Sequence, residues 1–430
     1  MILSFSTVGC KVNQIEAFEI SELCRQEGHM IVSPGTPCDI AVIASCTVTS
    51  AADRDVRRIV RKAAKLNPSL GVIVMGCLPQ GSPIPPALPA LIGWIGIEDR
   101  WYLPEILDSI DPHVLLTRIA NSSHEIQFPD LAVIPNRSRG FVSVQSGCNA
   151  SCSYCIVPLV RGREKSRPIF TVVRQIKSLI DAGHREVVLC GTHLGRWGKD
   201  FPEPQSLLDL LKETFKIRSR FRIRLSSIEP EEIDLPLLEF LSEHHGICYH
   251  LHIPLQSGSD TVLKRMNRST TAIKFRNKVA GILNVLDKPA LGTDLIVGFP
   301  GETDDEFQET LSLVTELHFS YLHIFSYSPR HGTRAVSMQN PVPNKIVKLR
   351  SQTMHSLGMK KSKEFRENLI GLEEEICVLG PGKDGKQRGL LSRFVPIIVQ
   401  GKLPVPGSLC PVKVISLDNQ NNTLHGVVIS

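Results

Sequence analysis

The chain opens with short β-rich runs separated by amphipathic ones. Residues 2–6, 40–44 and 72–75 are short β-rich runs, whereas 13–27 and 51–67 repeat their apolar positions at helical spacing. In the second of these helices Val56, Ile59, Val60 and Ala63 fall on one face, and Arg54, Arg57, Arg58, Arg61 and Lys65 on the other. Such alternation predicts a small α/β domain on a parallel sheet, assigned to residues 1–122. Residues 121–139 are polar, contain Pro129 and Pro135, and read as a linker. Strand-like and helix-like runs then alternate again over 134–366: EVVLCG, RIRLSS, YHLHIPL, ALGTDLIVGFP and YLHIFSYSP are separated by helical patterns at 168–182, 206–217 and 304–317. Repeated βα units of this length predict a parallel barrel or partial barrel. Residues 345–366 form a basic helix-like stretch, and from 367 to 430 the pattern changes to β-rich runs broken by Gly and Pro, the mark of a small all-β barrel. The fold class is therefore α/β with a carboxyl-terminal β module.

Composition narrows the class. With 430 residues, 42% of them hydrophobic, the chain can build two or three real cores, which excludes a disordered or fibrous protein. No basic segment leads into a long apolar one at the start, and the apolar stretch 87–97 is short and interrupted by Pro89, Gly93 and Gly96. A cytoplasmic protein with no membrane partner is expected. Twelve cysteines without a secretion signal argue for reduced thiols and metal ligation over disulfides. The net charge of +6 permits an RNA partner without requiring one.

Two sets of cysteines carry the chemistry. Cys148, Cys152 and Cys155 lie in a turn-rich loop directly after a strand-like run, spaced C-x3-C-x2-C. A 4Fe-4S cubane held by three thiolates keeps one iron open to bind a small molecule, whereas structural zinc takes two paired knuckles, and no second knuckle lies nearby. Cys10, Cys46 and Cys77 each follow one of the three amino-terminal strands. One such cysteine alone is most simply a small core residue, but three at successive strand ends converge on the crevice where open α/β sheets bind ligands. A second cluster with three protein ligands is the better account. Cys24, Cys38, Cys190, Cys248, Cys377 and Cys410 share no context and read as core residues.

C-x3-C-x2-C with Tyr154 before the third cysteine resembles the signature of the radical S-adenosylmethionine enzymes. The longer string GCNASCSYCIVPLVRGREKSRP resembles one branch, the methylthiotransferases, as do the blocks HIPLQSGSDTVLKRMNR and DLIVGFPGETDDEF. The resemblance covers essentially the whole chain. It implies an incomplete six-unit barrel, a TRAM-type RNA-binding tail, and two 4Fe-4S clusters on the two cysteine triads. The cluster on Cys148, Cys152 and Cys155 would bind S-adenosylmethionine and generate the radical; the one on Cys10, Cys46 and Cys77 would handle the sulfur. The polar strand ends supply the S-adenosylmethionine cradle, for which Gly191, Thr192, Ser227, Glu229 and Gln256 join Tyr154 as candidates. Glu229 and Glu302 fit a ribose ligand or a helix-capping carboxylate equally well. His193, His250 and His252 fit a structural role better than a catalytic one.

The substrate implied is a tRNA anticodon stem-loop, methylthiolated on carbon 2 of adenine at position 37. GCKVNQ and SCTVTSAADRDVRR look like the branch acting on N6-threonylcarbamoyladenosine; branches acting on N6-isopentenyladenosine or on a ribosomal protein are the alternatives. Candidate RNA contacts are Arg57, Arg61, Lys360, Lys361, Lys386, Arg388 and Arg393, and Phe394 reads either as a stacking platform or as a buried strand residue. An electron donor such as flavodoxin or ferredoxin and a sulfur donor are expected partners of a monomeric enzyme. Ser146, Cys190 and the Ser-Arg-Phe394 string depart from the usual family residues without removing a cysteine ligand. A non-enzymatic protein binding zinc and RNA is the rival from another class.

Overall fold

The computed structural model describes residues 1–67, 69–84, 88–110, 115–118 and 137–429; most of the linker 121–139 lies outside them. Six parallel strands build the amino-terminal sheet: β1 (Ile2–Thr7), β2 (Met30–Val32), β3 (Ile40–Ser45), β4 (Gly71–Gly76), β5 (Leu91–Ile95) and β6 (Leu116–Arg118), in the order β2-β1-β3-β4-β5-β6. The strands β3 and β4 are buried throughout because helices cover both faces, which is why they read as continuous apolar runs. The helix Ser50–Leu66 buries Val56 and Val60 and leaves Arg54, Arg57, Arg58, Arg61 and Lys65 exposed, as its periodicity predicts. The apolar stretch 87–97, too short to span a bilayer, contributes β5. Among the described residues no helix is long and apolar enough to cross a membrane.

The central region supplies β7 (Gly140–Ser146), the two-residue β8 (Lys165–Ser166), β9 (Glu186–Gly191), β10 (Arg222–Leu225), β11 (His250–His252), β12 (Ala290–Val297) and β13 (Tyr321–Ser326). These form a sheet ordered β10-β9-β7-β8 and another ordered β11-β12-β13. Bridges between Ile223 and Ile247 and between Ser227 and His252 join them into one partial barrel of six parallel strands plus β8. Alternate residues decide its two faces. Leu251, Leu291, Leu295 and Val297 pack with the surrounding helices in the main core, so His250, His252, Gly292 and Asp294 point to the inner face. A 24-residue helix, Asn344–Glu367, follows.

The tail is a closed barrel ordered β14-β15-β16-β18-β17, from β14 (Glu373–Pro381), β15 (Gln387–Leu391), β16 (Pro396–Gln400), β17 (Leu409–Asp418) and β18 (Thr423–Val428). The β-rich run GLLSRFVPIIVQG folds as a hairpin, β15 pairing antiparallel with β16. Phe394 adopts φ +59 and Leu391 N–H donates to Val395 O at 3.0 Å, closing a tight turn between β15 and β16.

The chain forms two compact units. One unit holds the described residues of Met1–Leu131 together with Ser146–Lys165 and Ser328–Ser337; the other holds the rest. The loop carrying Cys148, Cys152 and Cys155 thus belongs with the amino-terminal sheet.

Candidate functional site

In the first unit Cys10, Cys46 and Cys77 stand at the carboxyl ends of β1, β3 and β4, which are neighbours in the sheet. Gly9 makes the convergence possible. It has φ +101, and a Cβ there would overlap Cys46 Cβ and lie 2.7 Å from its Sγ. Gly76, with φ +102, similarly faces Ser45 O. Burial pushes the Cys46 thiol up to about 11, and the nearby Cys77 and Cys10 add to the rise. Cys77 is raised as well, again chiefly by burial, while Arg161 works against the rise.

The Cys148 loop is seated on this site. Gly147 has φ +76 and no room for a Cβ, which would overlap the carbonyl of Arg163; Cys148 N–H donates to Gly162 O at 3.1 Å. Ile156 and Val160, just after Cys155, pack with Cys77 and Ile97 in one small core. Arg161 forms a bidentate pair with Glu16 at 3.0 and 2.9 Å, and Arg100 binds the same carboxylate at 2.8 Å. All three side chains are buried. The segment Ser328–Ser337 touches both cysteine loops. Arg330 donates to Thr47, next to Cys46, and to Asp53 at 2.7 Å, while Ala335 N–H donates to Ser153 O at 2.8 Å, next to Cys152. Neither Glu16, Arg100 nor Arg330 stands out in the sequence, because their partners lie far along the chain.

In the second unit Gly191, Thr192, Ser227, Glu229 and Gln256 all lie at or just beyond the carboxyl ends of β9, β10 and β11. Gln256 has φ +72, a left-handed conformation unusual for a side-chain-bearing residue, held by Gln256 N–H to Asp294 O and Ile296 N–H to Gln256 O. The Glu229 carboxylate accepts from both Nη1 and Nη2 of Arg268. Glu302 accepts from Gly298 N–H at 2.6 Å and from Arg350 at 2.8 Å, so it ties a turn to the long helix. His193 pairs with Glu232 at 2.8 Å.

At the opposite, amino-terminal ends of the strands the barrel holds a buried ion cluster. Glu186 accepts from Arg222 and Arg224 at 2.6 and 2.8 Å and meets Arg139 at 3.4 Å. Burial pushes the Glu186 carboxyl up, but Arg224 and Arg222 outweigh it and hold it far below the usual carboxylate range. Arg222 and Arg224 also donate to the carbonyls of Leu390 and Ser392 in the tail barrel. Phe394 rests against His250 and Tyr321, with ring centroids 4.7 and 5.9 Å away, and is not a free stacking platform.

Residues 142–314 match the Radical SAM superfamily model, and residues 3–85 match Uncharacterized protein family UPF0004. The chain is 33% identical to the threonylcarbamoyladenosine tRNA methylthiotransferase MtaB of Bacillus subtilis, over 96% of this chain and 93% of that protein. It is 30% identical to tRNA-2-methylthio-N(6)-dimethylallyladenosine synthase of Desulfitobacterium hafniense, over 97% and 95%. The chain belongs to the radical SAM methylthiotransferase family. Among solved structures, the fold of this methylthiotransferase is similar to that of the radical S-adenosylmethionine methyltransferase TsrM of Kitasatospora setae. The TM-score is 0.52 at 11% identity, covering 78% of this chain and 77% of that one. It is also similar to the cobalamin-dependent radical enzyme OxsB, with a TM-score of 0.53 at 14% identity over 85% and 56%.

The family uses S-adenosylmethionine and 4Fe-4S clusters, and the methylthiotransferase has donors that fit them. Each set offers three thiols on loops set by a positive-φ glycine. Beside Cys77, two arginines sharing one glutamate leave a net positive charge to offset buried thiolates. Of the other six cysteines five are buried and Cys38 is half-buried, and burial pushes Cys24 and Cys377 up to about 12.

The RNA candidates divide. Arg57, Arg61, Lys360, Lys386 and Arg388 are exposed. Two are corrections. Lys361 is buried and donates to the carbonyls of Thr315 and Leu317 at 2.9 and 2.7 Å, capping the helix Asp304–Glu316. Arg393 is buried between Glu374 and the carbonyls of Lys288 and Asp287. Neither side chain is left at the surface.

Proposed function

We propose that this enzyme methylthiolates carbon 2 of N6-threonylcarbamoyladenosine at position 37 of tRNA. The observation that carries the reading is identity of about one third, along almost the whole chain, with proteins bearing that activity in their names, in Bacillus subtilis and again in Aquifex aeolicus. Dimethylallyladenosine synthases match at 30–33%, so N6-isopentenyladenosine is the second reading.

When bound, the clusters and S-adenosylmethionine supply a carbon radical and the sulfur, chemistry that no ordinary side-chain base could perform on so weakly acidic a C–H bond. The protein's work is placement. Cys148, Cys152 and Cys155 would hold the radical-generating cluster, and Cys10, Cys46 and Cys77 the sulfur-handling one. Ile156 and Val160 pack against Cys77, and Arg161 pairs with Glu16, contacts that would hold the two clusters at a set spacing. Gly191, Thr192, Ser227, Glu229, Gln256 and Tyr154 would line the S-adenosylmethionine. Arg57, Arg61, Lys360, Lys386 and Arg388 would grip RNA phosphates. Electrons would come from a flavodoxin or ferredoxin and sulfur from a separate donor, in the cytoplasm, with the enzyme acting as a monomer.

The test is mass spectrometry of tRNA nucleosides from a methylthiotransferase-deficient bacterium expressing this chain. The 2-methylthio derivative of N6-threonylcarbamoyladenosine should appear, and should vanish with Cys148→Ala or Cys46→Ala. A methylthio group on the isopentenyl nucleoside alone would overturn the substrate assignment.

A further inference from the structure

The inner face of the partial barrel carries a hydrogen-bonded set that the cysteine chemistry leaves unused. His252 Nε2 and His323 Nδ1 both meet Asp294 Oδ1, at 3.0 and 3.2 Å. His252 is fixed on its other ring nitrogen, Nδ1, by Tyr321 Oη at 2.9 Å, and the same hydroxyl lies 2.8 Å from His250 Nε2. Tyr321 can sit there because Gly292 has no side chain; a Cβ would overlap the phenol ring. The outer ends of the set are open. Asp294 Oδ2 and His323 Nε2 have no partner among the described residues, and the two side chains are 23% and 51% exposed. A fixed acceptor and an imidazole edge thus stand side by side on the inner wall of a barrel whose other end is closed by the Glu186 cluster.

We infer that this set binds the N6 substituent of the substrate base: Asp294 Oδ2 accepts from the ureido N–H of a threonylcarbamoyl group, and His323 Nε2 bonds its carboxylate or hydroxyl. The inference rests on the threonylcarbamoyladenosine reading. An isopentenyl group laid against the same wall would strip a carboxylate and an imidazole of water and return no hydrogen bond. Charge points the same way. At the base of the barrel three guanidiniums, of Arg139, Arg222 and Arg224, stand against the carboxylates of Glu186 and Asp294, a surplus of one positive charge that favours an anionic substituent. The sequence carries a trace of the site in the alternating His250-x-His252 and Tyr321-x-His323, polar positions repeating every second residue in otherwise apolar strands.

The experiment measures binding and single-turnover methylthiolation of anticodon stem-loops bearing threonylcarbamoyladenosine, isopentenyladenosine or plain adenosine, using the reconstituted full-length enzyme. Asp294→Asn, which keeps the shape, and His323→Leu should each cut the preference for the threonylcarbamoyl stem-loop over the plain one by about tenfold or more. His323→Gln, which keeps a polar edge, should recover part of it. Iron content and melting temperature serve as controls. A wild-type preference that survives both substitutions overturns the inference and leaves the substrate reading standing. Wild-type activity confined to the isopentenyl stem-loop overturns the substrate reading and the inference with it. A stoichiometric divalent metal in purified protein, lost in Asp294→Asn, would make the set a metal site and overturn the inference, since His252, Asp294 and His323 hold their ligand atoms within 4.8 Å of one another.

Discussion

The finest control over the two cysteine sites lies in residues with no side chain. Gly9 and Gly147 each precede the first cysteine of a set, each has a positive φ, and each is pressed against a neighbour that a methyl group would strike. Gly9→Ala should displace the Cys46 loop and lower iron at the amino-terminal site while the other site still loads. Gly147→Ala should do the reverse. Iron quantitation with electron paramagnetic resonance of each variant, set against Cys→Ala variants of the same triad, separates the two outcomes; equal loss at both sites in both variants would refute site-by-site control. At this scale residue type is legible in the sequence: Cys148, Cys152 and Cys155 by their local spacing, and Cys10, Cys46 and Cys77 by their places after three predicted strands, which the structure puts side by side in the sheet. What it hid were partners supplied from afar. Arg393 looked like one more basic residue of a β tail, and only the placement of Glu374 and the carbonyl of Lys288 around it turns it inward.

At the scale of elements, the helix Asn344–Glu367 divides a basic stretch between a buried stripe and an exposed face. Met354, Gly358 and Lys361 are buried, with Phe365 half-buried, a spacing of four, three and four along one stripe, whereas Lys360 and Lys363 stand off it. That stripe is a signal in the sequence that Lys361 is structural. Lys361→Met should cost about 1–2 kcal/mol in urea unfolding, from two charge-assisted hydrogen bonds removed at a helix end, and leave RNA affinity unchanged. Lys360→Ala should do the opposite. On the helix Ser50–Leu66, Arg57→Ala with Arg61→Ala should weaken anticodon stem-loop binding and flatten its salt dependence by about one unit of slope for each phosphate no longer neutralised. A salt slope identical to wild type would remove that helix from the RNA surface.

At the scale of the second unit, the tail barrel closes the amino-terminal end of the partial barrel rather than hanging from it. The carbonyls of Leu390 and Ser392 receive Arg222 and Arg224, Tyr249 N–H donates to Ser392 Oγ at 2.8 Å, and Phe394 covers His250 and Tyr321. The sequence could show a β module but not this, since a strand-like run conceals its own turn and a turn conceals what it plugs. Glu186 sits at the centre of that closure. Its carboxyl is held below its ordinary value of 4.5 in the folded state, so its ion pairs contribute stability fully above about pH 4.5 and lose it as the pH falls toward the lower, folded value. Glu186→Gln strands two buried guanidiniums and should cost about 3–5 kcal/mol at neutral pH, with the deficit against wild type shrinking on acidification. Ending the chain after residue 366 should destabilise the partial barrel in the same way, by uncovering Arg222, Arg224 and the His250–Tyr321 pair. A truncated chain that unfolds at the wild-type urea midpoint would mean that the tail is an independent appendage, and would leave the ion cluster to stabilise the barrel alone.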